Sequence, residues 1–156
     1  MLIVNADDLG RSREETDATL ACYSRGRISS TSAMVFMIDS ERAAELATDA
    51  GIPTGIHLNL SERLTASDVP TSLRASHDRI CTFLRRSKYS SIVYNPFLIR
   101  DFSTMVGAQF GEFRRLYGCD PAHVDGHQHM HLATNVLWQR LLPEGVRVRR
   151  SFSFAK

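Results

Sequence analysis

Three histidines on alternate positions, His127, His129 and His131, follow an aspartate and a glycine in the run DGHQHMH, and the carboxylate in question is Asp125. Two further clusters offer comparable groups: the adjacent carboxylates Asp7 and Asp8 in NADDLG, and His57 with Asn59 in GIHLNL. Neighbouring carboxylates raise each other's pKa unless a cation relieves the repulsion. One Asp with two His makes a facial donor set that leaves positions open to water and substrate. Such a set suits Zn²⁺, Mn²⁺, Fe²⁺ or Co²⁺ and, with weaker preference, Mg²⁺. Taken singly, each cluster has a plainer reading: a capped strand-to-helix turn at Asp7-Asp8, a core histidine at His57, and a solvated loop in HQHMH. Their recurrence at equivalent strand ends points instead to one shared site.

The elements that must position these groups alternate between strand and helix. Leu2 to Val4 form a short apolar run that reads as a buried strand, with Asp7-Asp8 following it. Ser12 and Glu15 make a capping box for a helix that Gly26 closes. SAMVFMI reads as a second strand, SERAAELATDA as a helix stopped at Gly51, and Thr54 to Leu60 as a third strand. The Ser/Thr/Asp-rich stretch 61–78 reads as a surface loop. Asn95-Pro96 opens a long helix with Phe102, Val106, Phe110, Phe113 and Tyr117 on one face, closed by Gly118. AHVDG is a fourth strand, Leu132 to Leu142 a helix ended by Pro143, and VRVRRSFSF a fifth strand. Trp138 and the helical phenylalanines read as core, RVRR as a solvated strand end, and Ser29 to Ser32 as a weaker polar cluster beside strand two. His77 and His123 have no convergent partners along the chain.

This alternation predicts an α/β fold built on a parallel sheet, whose ligands gather at the carboxyl ends of the strands. A closed (β/α)₈ barrel of the TIM type takes about 250 residues. A chain of 156 therefore holds either an incomplete barrel, with about five of its strands, or a smaller open sheet, as a single domain over residues 1–156. The net charge of +2 comes without a clustered basic face, which argues against a nucleic-acid partner. Cys22, Cys81 and Cys119 are scattered and odd in number, against a disulfide framework and in favour of a cytoplasmic setting. The apolar run at the start is too short for a signal peptide or membrane span.

The motifs NADDLG, GIHLNL and DGHQHMH, in that order, resemble those of the YdjC family of carbohydrate deacetylases, which includes chitooligosaccharide deacetylases. The resemblance runs from Met1 to Lys156 and implies a metal-dependent hydrolase that removes N-acetyl groups from amino-sugar oligosaccharides. It implies one divalent ion, Mg²⁺ or Zn²⁺, held by Asp8, His57 and His127, with Asp7 as the general base that activates a metal-bound water. Asn59, Asp125, His129 and His131 become supporting or substrate-contacting groups. If the segment after Gly126 is helical, His131 lies one turn from His127 and rivals it as a ligand. Family members continue past this length to a Cys-His-Pro segment in the place of the general acid, and nothing of that kind follows Phe154. The chain thus resembles the N-terminal part of such an enzyme, with an open sheet edge that a second copy could cover in a homodimer. Two other readings compete with it: a catalytically silent metal- or sugar-binding fragment, and another metal-dependent hydrolase such as a phosphoesterase.

Overall fold

In the computed structural model, which describes residues 2–150, the first strand is polar. Strand β1 spans Asn5–Leu9 and contains both aspartates, while Leu2, Ile3 and Val4, expected as the buried strand, lie exposed before it. Helix α1 (Arg13–Ser24) follows, its N-cap Ser12 accepting from the Glu15 amide as the capping box requires. Strand β2 is Ser30–Ala33, earlier than the apolar SAMVFMI suggested. Its hydroxyls are satisfied inside the protein: Ser30 Oγ donates to the Pro53 carbonyl at 3.0 Å and Thr31 Oγ1 to the Ala6 carbonyl at 2.8 Å. Burial of a polar strand costs little once every group is paired.

Helix α2 (Ser40–Asp49) ends before Gly51, which takes the left-handed conformation expected of a terminating glycine. Strand β3 is Thr54–Leu58. Within the stretch expected as loop, only residues up to Pro70 are irregular; helix α3 covers Thr71–Leu84 and buries Leu73, His77, Ile80 and Leu84 at helical spacing. Helix α4 (Ile99–Tyr117) carries the aromatic stripe inward, with Phe102, Met105, Val106, Phe110 and Phe113 all buried, and ends at Gly118. Strand β4 is Val124–Gly126, and helix α5 is a short Thr134–Trp138 rather than a helix reaching Leu142. Trp138 is exposed, not core. The expected fifth strand amounts, among the described residues, to one bridge between Val148 and Val124; its end at 151–154 lies outside them.

The four strands form one parallel sheet in the order β1-β2-β3-β4, each strand pairing with the next in sequence. The core lies between this sheet and helices α2, α3 and α4, gathering Leu9, Ile56, Leu58, Ile80, Phe102 and Phe113. All four strands run the same way, so Asp7-Asp8, His57 and Asp125 come to one end of the sheet. No helix among the described residues is long and apolar enough to cross a membrane.

Candidate metal centre

A bulge in β1 places the two aspartates. Ala6 pairs with Thr31 and Leu9 with Ala33, so Asp7 and Asp8 together face the single residue Ser32. A regular strand would send adjacent side chains to opposite faces, and an extra residue re-aims one of them. Asp8 carries the turn with φ at 65°, a conformation aspartate tolerates better than most residues. The following Gly10 is required by space as well as by φ, since a Cβ there would lie 3.1 Å from the Met34 carbonyl oxygen and 3.2 Å from Ser40 Cα.

Asp8 Oδ1 is the point of convergence. His57 Nε2 lies 3.1 Å from it and His127 Nδ1 also 3.1 Å. The two imidazole rings stand edge to face, 5.8 Å apart between centroids. The remaining nitrogen of each ring is tied to another carboxylate: His57 Nδ1 to Asp125 Oδ1 at 2.7 Å, and His127 Nε2 to Glu62 Oε2 at 3.1 Å. Donors about 2.1 Å from a tetrahedral ion stand roughly 3–3.5 Å apart, so the same spacing serves an ion at the centre. Carboxylates on the outer ring nitrogens are the usual means of fixing ligand histidines in one tautomer. Asp8, His57 and His127, whose donor atoms lie within 4.8 Å of one another, therefore fit a divalent cation.

The electrostatics agree with a site built for positive charge. Hydrogen bonds from His127 and then His57 hold the Asp8 carboxyl well below the usual carboxylate range. Burial disfavours the charged form of His57, but Asp125 and Asp8 outweigh it and push the imidazole up to about 9. Asp125 is opposed by its own burial, yet its bonds to His57 and Ser32 lower its pKa overall.

Asp7 lies beside this cluster, half-exposed, and meets Arg149 Nη1 at 2.6 and 2.8 Å through its two oxygens. Asn5 Nδ2 donates to Asp7 Oδ1 at 2.8 Å and to Ser32 Oγ at 3.1 Å, and Ser32 Oγ donates to Asp125 Oδ2 at 3.0 Å. Thus Asp7, Asp8, His57, Asp125 and His127 come together, while three other expected residues do not join them. Asn59 is fully buried and committed to a turn: its Oδ1 accepts from the Glu62 amide, its Nδ2 donates to the Glu62 carbonyl, and Gln109 brackets its backbone from α4. His129 is exposed. His131 is buried away from the cluster, donating from Nε2 to the Arg149 carbonyl at 3.0 Å.

The rivalry between His127 and His131 rested on a helix after Gly126, and the chain is helical there only in broken 3₁₀ turns. Gln128 and His129 both take positive φ, 53° and 60°, which separates the two histidines. Gly126 has an extended backbone and is glycine for space alone, because a Cβ would meet His131 and the Leu58 carbonyl at 3.0 Å. Three residues of the cluster lie outside the sequence expectation, Asn5, Glu62 and Arg149, and a fourth, Ser32, belongs to the weaker polar cluster Ser29 to Ser32. Asn5 lies two positions before Asp7 on the same strand, a spacing that could have flagged it. Glu62 and Arg149 carry no local signal, and RVRR, expected as a solvated strand end, instead places Arg149 on Asp7.

Fold and site together define a parallel α/β protein with an Asp–His–His cluster at the carboxyl ends of its strands. The family model described as YdjC-like protein matches residues 1–151, and the chain belongs to that family. It is 31% identical over 153 residues to the carbohydrate deacetylase of Mus musculus, covering 96% of this chain and 49% of that protein. It is 31% identical over 138 residues to the chitooligosaccharide deacetylase of Serratia marcescens, covering 87% of this chain and 52% of that one. The chain thus spans about half the length of these curated relatives. A solved structure from Enterococcus faecalis, whose name proposes cellobiose-phosphate cleavage, superposes with a TM-score of 0.72 at 24% identity. That match covers 97% of this chain and 59% of the other and supports the fold.

Proposed function

We propose that the chain carries the metal-binding and base-bearing part of a carbohydrate N-deacetylase acting on N-acetylated amino-sugar oligosaccharides. Its four strands are read as the first strands of a (β/α) barrel. The observation that carries this is the meeting of His57 Nε2 and His127 Nδ1 at Asp8 Oδ1, both at 3.1 Å, in a chain whose relatives are named deacetylases. Asp8, His57 and His127 would hold one divalent ion, whose contribution is Lewis acidity toward the acetamide carbonyl and toward water.

The remaining work falls to the protein. Asp7 stands outside the Asp8 cluster and reaches solvent; Oδ1 accepts from both Arg149 and Asn5, whereas Oδ2 accepts from Arg149 alone and keeps a lone pair that can take a proton from the attacking water. Arg149 and Asn5 hold that carboxylate in place. Asp125 keeps the Nδ1 proton of His57, and Glu62 does the same at His127 Nε2, leaving Nε2 and Nδ1 respectively as the inward-facing donors. Water adds to the acetamide carbon as its proton passes to Asp7, the C–N bond breaks as the amine takes up that proton, and acetate and the free amino sugar result.

Acetate release from N-acetylated chitooligosaccharides, measured with and without added Zn²⁺ or Mg²⁺, tests the reading. Metal-dependent release is expected, falling about 10²–10⁴-fold in Asp7→Asn. No release by the unaltered chain, or release indifferent to both Asp7→Asn and His57→Ala, would refute it. Metal binding that is lost in His57→Ala without turnover in any condition would leave a binding fragment instead.

A further inference from the structure

Asp7, His57 and Asp125 form a second group whose donor atoms also lie within 4.8 Å of one another, sharing His57 with the first. With His57 Nε2 turned to Asp8 and its Nδ1 proton held by Asp125, what this group offers a cation is the position between the carboxylates of Asp7 and Asp125. A cation already fills it: Arg149 Nη1 lies 2.6 and 2.8 Å from the two oxygens of Asp7 and 3.2 Å from Asp125 Oδ2. We infer that Arg149 is an internal cation that takes the place of a second metal ion, keeping the centre mononuclear and Asp7 off the metal. This rests on the reading of Asp8, His57 and His127 as the metal ligands.

The backbone holds the guanidinium there deliberately. The Arg149 amide donates to the Val124 carbonyl at 2.9 Å, next to the bridge between Val148 and Val124, so the residue is registered against β4 one position from Asp125. On its other side the Arg149 carbonyl accepts from His131 Nε2. Burial lowers the His131 pKa, so the ring is neutral with its proton on Nε2, facing that carbonyl. The third histidine of HQHMH thus serves the arginine rather than the metal. Without the guanidinium, the buried Asp125 and the neighbouring Asp7 would face each other with no cation between them, an arrangement that recruits one from solution. All three contacts come from the single nitrogen Nη1, so a compact ammonium can replace them where a neutral side chain cannot.

The test is Mn²⁺ binding to the whole chain, read by the electron paramagnetic resonance of free and bound ion. The unaltered chain is expected to bind a single Mn²⁺ with an uncoupled spectrum. Arg149→Met, which keeps the stem and removes the charge, is expected to bind a second Mn²⁺ with a spectrum broadened by spin coupling, and Arg149→Lys to return to one. Two ions in the unaltered chain, or one in a folded Arg149→Met, would overturn the inference while leaving the metal reading intact. If Arg149→Met does not fold, the unaltered chain and Arg149→Lys decide, two coupled ions in either being the contrary result. No Mn²⁺, Zn²⁺ or Mg²⁺ binding by the unaltered chain would overturn the metal reading itself and this inference with it.

Discussion

Asp125→Asn isolates the part of the site that touches no ion and yet should govern its affinity. Asp125 is almost wholly buried, and its Oδ1 accepts from His57 Nδ1 at 2.7 Å. Asparagine keeps an oxygen in nearly the same place but removes the charge, so the ring stays oriented while its outer proton loses a strong acceptor. A hydrogen bond to a charged group contributes about 1.5–3 kcal/mol. Loss of such partners typically weakens metal binding about 10–100-fold, or about 1.4–2.7 kcal/mol. The two ranges overlap, and a loss toward the upper end is expected because the amide nitrogen takes the place of Oδ2, where the Ser32 and Arg149 donors lose their acceptor. Competition against a chromophoric chelator for Zn²⁺ at fixed pH measures the loss, with a melting curve to verify folding. In the metal-free protein the His57 pKa, now near 9, should fall, as followed by the ring proton in NMR. An affinity within about twofold of the original, in a folded variant whose His57 titration is unmoved, would refute the reasoning.

Other consequences follow from the same contacts. In the metal-free protein the folded-state pKa of His57 is raised from an ordinary 6.5 to about 9. Its contribution to stability, at most about 3 kcal/mol, is therefore full below pH 6.5 and lost as pH rises through 9. Melting in a chelator should fall over that window, and a flat profile would contradict the pairing. Because the ion displaces that proton, apparent metal affinity should weaken about tenfold per pH unit below 9, which proton release in calorimetry would check. His127→Ala should abolish metal binding, whereas His131→Ala should lower the melting temperature and leave a metal site; the reverse pattern in metal titration would restore His131 as a ligand. Gln109→Leu strips two hydrogen bonds from the buried backbone of Asn59 and should cost about 2–4 kcal/mol. Because that turn carries Glu62 to His127, metal affinity should fall as well, and an unchanged denaturation midpoint would count against this account.

The sequence made the helices and the chemistry more legible than the strands. Ser12 and Glu15 announced α1, the aromatic stripe from Phe102 to Phe113 announced α4, and the three polar motifs marked the site, because caps, periodicity and clustered donors are local signals. Strands β1 and β2 lie away from the apolar runs of the sequence because apolarity does not mark the buried strand here. Here the buried strand is Ser30 to Ala33, its hydroxyls satisfied by the Pro53 carbonyl, by β1 and by Asp125, while Leu2 to Val4 lie in solvent. Helix α3 was hidden by the density of serine, threonine and aspartate around Leu73 and Ile80. Glu62 and Arg149 were invisible for a different reason. A fold-closing register brings Arg149 to Asp7 across 142 positions, and no pattern along the chain records that distance.

The account turns on which atoms hold the ion. A crystal grown with Mn²⁺ or Zn²⁺ and measured at the metal's absorption edge would answer this directly. A single anomalous peak bonded to an Asp8 carboxylate oxygen, His57 Nε2 and His127 Nδ1, with Arg149 still on Asp7, is the predicted result. A peak between Asp7 and Asp125, a peak on His129 or His131, or none at saturating metal would contradict it.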